Sequence, residues 1–177
     1  MIPTDHNTRC HRVPSPKETL CKSAGFDNHE HILLTAARLY FQSFAEPHSQ
    51  SWMQALSLTQ VHFGQFDGPI IAIRLLTALQ AMRCTRRSIF GFNAPQCATC
   101  SKVLTEHERR FMTAIQSVRR GQNSVAQLEI MLLCEGNETE HVLAAFIDLS
   151  CVLACAIPVA VHDTSRHAQT GLSQSPS

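Results

Sequence analysis

Charge is scarce in this chain. Asp, Glu, Lys and Arg make up 16% of its 177 residues, against roughly a quarter in ordinary globular domains. With a formal net charge of +1, a histone-like basic arm or a supercharged tail is excluded. Seven Gly and eight Pro are too few for collagen-like or low-complexity classes. The catalytic signatures that pattern alone reveals are also missing: there is no GxGxxG, Walker loop, HExxH or GxSxG. The first 22 residues, MIPTDHNTRCHRVPSPKETLCK, hold no apolar stretch of the kind a secretory signal uses. A cytoplasmic setting with reduced thiols is therefore expected, and the sequon at Asn137 counts as an accident.

What is present is apolar. Hydrophobic residues reach 44%, and the length suits one domain with a sizeable core. Residues 1–27 and 158–177 mix Pro, Ser, Thr and charge without periodicity, and read as flexible ends around a helical domain over 28–157.

Inside the domain the period is helical. Ile32, Leu33, Ala36, Ala37, Tyr40, Phe41 and Phe44 predict a helix over 28–45, stopped by Pro47. Trp52, Leu56, Thr59 and Phe63 predict a second, ending near Gly64. Asp67-Gly68-Pro69 then opens a third over 68–84, apolar on most sides and so expected at the centre. Thr105 and Glu108 form a capping box for a helix reaching Gly121. Ser124 suggests the same for the next, which ends at Gly136, and a last helix runs to about Ala156. The expected fold is all-α: a compact bundle of about six helices, with 105–120 and 124–135 as an antiparallel hairpin. Val142–Val161 is long enough to span a bilayer, but Asp148 and Pro158 favour a buried helix. A membrane is not an expected partner.

Two features carry candidate chemistry. Cys97-Ala98-Thr99-Cys100 lies in a loop of about twenty residues, where two thiols at that spacing can clasp one tetrahedral Zn²⁺. The hairpin brings Cys134 toward the same loop, Cys84 opens it and His107 follows it. Cys84, Cys97, Cys100 and Cys134, with His107 as a substitute, are the expected ligands of one structural zinc. The bland alternative makes Cys84 and Cys134 small buried hydrophobes. Cys97 and Cys100 also admit a redox-sensing or enzymatic reading, with His107 as base for Cys100. Cys151 and Cys155, one helical turn apart among Val, Leu and Ala, are expected in the core. Cys10 and His11 are read as surface residues.

The second feature is an uneven distribution of charge. Residues 82–121 hold eight basic residues against two acidic ones, a net of +6, so the rest of the chain carries −5. Seven of the eight are Arg83, Arg86, Arg87, Arg109, Arg110, Arg119 and Arg120, the side chain suited to bidentate carboxylate and phosphate contacts. Lys102 is the eighth. The expected activity is a small non-enzymatic regulator or adaptor that binds an acidic protein surface through this segment. A nucleic-acid-associated regulator is the alternative, and self-association is admitted.

Overall fold

The computed structural model describes residues 19–156, and the fold is all-α, with five helices among them. The expected C-terminal tail, Cys10, His11 and the end of the Val142–Val161 stretch lie outside the described residues. The first helix, α1 (Asn28–Ala45), starts at a reciprocal cap. The Glu30 amide donates to Asp27 at 2.7 Å, and the Asp27 amide donates to the Glu30 carboxylate at 2.9 Å. Leu33, Leu34, Ala37, Tyr40 and Phe41 then bury one face.

The boundary expected at residue 27 moves outward. Residues 19–27 are docked: Thr19–Leu20 (β1) pairs antiparallel with Val103–Leu104 (β2), and Cys21 is buried behind the pair. Aperiodic polar sequence hid this segment because its pairing is with a loop some eighty residues away.

The two helices expected over 52–64 and 68–84 form one bent element, α2 (Ser51–Thr85). Its break falls at Gly64, where φ is 88° and ψ 169°, a combination open essentially to glycine alone. At the bend Gly68 meets the backbone of Thr59 and Gln60, on the limb before the break. A Cβ built there would stand 2.5 Å from the Gln60 Cα. The restart falls ahead of Asp67, so Pro69 lies inside the helix. Trp52, expected on the buried face, is half exposed, while Ala55 and Thr59 are fully buried. Beyond the bend, Ile71, Leu75, Leu79 and Met82 are buried, and Ile70 and Ile73 face outward. This helix is central on one side only.

The helices α3 (Glu106–Arg119) and α4 (Asn123–Leu133) form the expected hairpin. Thr105 and Glu108 make their capping box in both directions. The Ser124 box is not formed: Gln122 is the N-cap and contributes no side-chain bond. Gly121, at φ 69°, turns the chain, with the Gln122 amide returning to the Ser117 carbonyl at 2.8 Å. The last helix, α5 (Glu140–Ala156), packs on α2 and α3 through Val142, Phe146, Leu149 and Leu153. No described helix is long and apolar enough to cross a membrane. Cys151 and Cys155, expected in the core, are exposed on the outer face of α5, because Leu149 and Leu153 take the inner one.

The bend is therefore the position least tolerant of a side chain. Gly68→Ala forces a methyl into backbone and is expected to destabilise the fold by about 1–3 kcal/mol or more. Gly64→Ala is expected to cost about 1–3 kcal/mol through its dihedral angles. Urea unfolding of both variants checks this, with wild-type stability in either as the contrary result.

Candidate functional site

The site is built on the segment between α2 and α3, residues 86–105. A connection this long in a small domain needs its backbone polar groups satisfied by something other than regular structure. Arg38 and Glu108 supply most of that. Arg38 lies on the buried side of α1 at 3% exposure and Glu108 in the first turn of α3 at 2%. The guanidinium donates to both carboxylate oxygens, at 2.7 and 2.9 Å. It also donates to the Ser101 carbonyl at 2.8 Å and to that of Val103 at 2.7 Å. Glu108 in turn accepts from the Asn93 amide at 2.9 Å and from the Thr105 amide at 2.9 Å. Asn93 closes the ring by donating its side-chain amide to Val103 at 2.8 Å.

The loop is fastened at two further places. The His107 Nδ1 accepts from the Gly91 amide at 2.7 Å, and the Thr105 hydroxyl donates to the Gly91 carbonyl at 2.7 Å. At the other end Glu135, held at φ 59°, accepts from the amides of Arg87 and Ser88 and from the Ser88 hydroxyl. Those bonds, the Ser88 hydroxyl first, keep the Glu135 carboxyl below its ordinary pKa. A left-handed backbone at a residue other than glycine is costly. Here it aims the carboxylate at the loop.

So anchored, the loop lays Phe90 flat on Phe41, with ring centroids 4.2 Å apart and planes 7° from parallel. Phe92 stacks on the same ring at 5.6 Å. With Phe44 these rings floor an open cleft of about 320 Å³. Its rim is cationic. Arg83 reaches over the Phe44 ring at 4.7 Å, and Arg87 and Ile89 are exposed beside it. A larger recess of about 900 Å³ lies beyond the end of α1, near Gln42, Glu46, His48 and Gln96, and has neither arginine nor aromatic floor.

The predicted basic residues thus divide into struts and rim. Arg86 donates to the Leu133 carbonyl at the end of α4 and pairs with Glu135 at 3.3 Å, so it holds the loop. Arg109 pairs with Glu106 at 2.7 Å, and Arg110 with both Glu106 at 2.7 Å and Glu129 at 3.2 Å. Arg119 binds Asp27 at 3.0 Å and Glu30 at 2.6 Å. Arg120 is exposed at the end of α3. Arg83 and Arg87 are the exposed cations beside the aromatic floor.

The expected zinc ligands do not converge. Among the described residues no three His, Cys, Asp or Glu side chains form a group able to hold a metal ion. Cys97 and Cys100 are neighbours, the Cys100 amide donating to the Cys97 sulfur at 3.3 Å. Cys134 is fully buried in the core, where desolvation raises its thiol pKa. Cys84 is exposed on the last turn of α2. His107 turns its two ring nitrogens toward Gly91 and Arg86. Arg38, the residue that organises this region, was absent from the expected site. Its one signal in the sequence is a cation on the apolar stripe of α1, four residues after Leu34.

No family model matches the chain, and no curated protein or solved structure matches it.

His107 makes the loop sensitive to pH. Burial, reinforced by the Arg86 charge, lowers its pKa from an ordinary 6.5. Between the folded value and 6.5 the unfolded chain binds more protons, so stability rises with pH there. The His107 contribution is complete above 6.5 and is lost as pH falls from there through the lower folded value. Denaturation midpoints between about pH 7.5 and 5.5 should therefore fall less steeply in His107→Gln than in wild type. Identical slopes would show that this histidine does not titrate in that window.

Proposed function

We propose that the protein is a small non-enzymatic regulator or adaptor that holds an acidic segment of another protein in the Phe41–Phe90 cleft. The observation that carries this reading is the pairing of an aromatic floor with the exposed cations Arg83 and Arg87. A short peptide could seat an apolar side chain on the rings while its carboxylates meet the guanidinium groups, each contact adding what the other lacks. Aromatic and arginine side chains are the types that dominate binding energy at protein interfaces. The loop is already ordered by Arg38 and Glu108, so little conformational entropy is lost when a partner docks.

The same division of arginines weighs against an extended nucleic-acid surface. Duplex binding draws on a row of unpaired cations following the phosphates, whereas Arg109, Arg110 and Arg119 are matched with carboxylates within the chain. Two rim cations suit a local acidic motif better than a backbone.

The test is fluorescence anisotropy with a labelled peptide alternating glutamate with leucine and phenylalanine, beside a labelled DNA duplex. Peptide binding should weaken with salt and fall by about tenfold for each of Arg83→Glu and Arg87→Glu, a change of about 1.4 kcal/mol. Arg120→Glu, away from the cleft, should leave it unchanged. Absence of peptide binding, or equal losses in all three variants, contradicts the reading. Duplex binding that falls steeply with salt and exceeds peptide binding would replace it with the nucleic-acid one.

A further inference from the structure

Cys97 and Cys100 differ from the other described cysteines in what surrounds them. Cys21 and Cys134 are buried, and desolvation raises both of their thiol pKa values, which keeps such thiols inert. Cys84, Cys151 and Cys155 are exposed but lie on helices, where backbone amides are committed to helical carbonyls. Cys97 and Cys100 are half-buried in a turn of the loop. The Ser101 amide returns to the Cys97 carbonyl at 2.9 Å and the Lys102 amide to the Thr99 carbonyl at 3.3 Å, so the turn is closed. A closed turn brings its first and fourth Cα atoms within about 7 Å, and a disulfide spans about 4.4–6.8 Å. Inside the turn the Cys100 amide donates to the Cys97 sulfur at 3.3 Å. A donor aimed at sulfur favours thiolate over thiol. It also holds that sulfur beside residue 100.

We infer that this pair is a redox modification site: a peroxide oxidises Cys97, and Cys100 resolves the product as a disulfide. The amide assigns the two roles. Cys97, as the thiolate, attacks one peroxide oxygen. The O–O bond breaks, the sulfur becomes a sulfenic acid, and hydroxide leaves with the Cys100 proton as water. The Cys100 thiolate then attacks the Cys97 sulfur. The S–S bond forms as the S–O bond breaks, and the second oxygen leaves as water with the proton Cys97 had given to solvent. Two thiols lose two electrons and one peroxide becomes two waters. Two small thiols reverse the change through a mixed disulfide, becoming oxidised to a disulfide themselves. The turn is joined to the buried lock of the loop. Its next carbonyl, that of Ser101, accepts from Arg38 at 2.8 Å and from the Cys21 sulfur at 3.4 Å. Oxidation therefore acts one residue from the Arg38–Glu108 network.

The experiment treats the reduced full chain with hydrogen peroxide near stoichiometry, alkylates it, and reads tryptic peptides by mass. Residues 88–102 form one such peptide and hold both cysteines. It should become two hydrogens lighter, resist alkylation at both sulfurs, and regain two alkylated thiols after dithiothreitol. Peptides carrying Cys84, Cys151 and Cys155 should stay alkylated at that dose. Cys100→Ser should halt at the sulfenic acid on Cys97, captured by dimedone. Cys97→Ser should slow oxidation of Cys100 by about tenfold or more. Unchanged alkylation of 88–102, or oxidation that falls as heavily on Cys84, Cys151 and Cys155, overturns the proposal. So does zinc that copurifies with the chain and shields both sulfurs before any oxidant, which returns the pair to a metal site.

Discussion

The buried contact between Arg38 and Glu108 decides how this small domain is put together. Two charges at 3% and 2% exposure carry a desolvation cost that their mutual attraction need not exceed, and an apolar pair of the same shape could be as stable. What the pair adds is uniqueness. Both guanidinium donors that face the loop find carbonyls, and both carboxylate oxygens find a backbone amide as well as the arginine. Any other course of residues 93–105 would leave some of these groups buried and unmatched. No buried side-chain nitrogen or oxygen among the described residues lacks a partner.

A second network repeats the logic at the other end of the same two helices. Glu30 and Asp27, which cap α1, receive Arg119 from the end of α3, and Gln116 donates to Glu30 at 2.7 Å. The two locks fix α1 and α3 as antiparallel neighbours, 30 opposite 119 and 38 opposite 108. Phe41, one turn past Arg38, is thereby delivered to the place where Phe90 and Phe92 stack. The cleft is a consequence of the locks: the loop that bears two of its rings has no regular secondary structure across them.

The parts of this arrangement that are local in sequence were legible there. The Thr105–Glu108 box, the hairpin at Gly121 and the stop near Gly64 each depend on residues within a turn or two of one another. Contacts across the fold were not. Arg38 reads as one more polar residue in an amphipathic helix until Glu108 and the loop carbonyls surround it. The arginine-rich segment was visible as composition, yet which arginines reach solvent depends on Glu129, Glu135 and Glu30, distant in the chain. The cysteine spacing marks the long loop as a segment that needs holding together, and the ion pair and Asn93 bond its backbone from within. The second half of α2 reads as central in the sequence because an apolar helix looks so when its neighbours are unknown, and Ile70 and Ile73 face outward.

Hydrogen exchange in Glu108→Gln tests the account most directly. The substitution keeps the shape of the side chain and removes the charge opposite Arg38, leaving that guanidinium buried without its counter-ion. The account predicts that the amides of Asn93 and Thr105, with their neighbours in 90–105, lose protection ahead of those of Ile71–Met82 in α2 and Val142–Leu153 in α5. Loop amides as protected as in wild type, or a uniform loss across loop and helices alike, would contradict it.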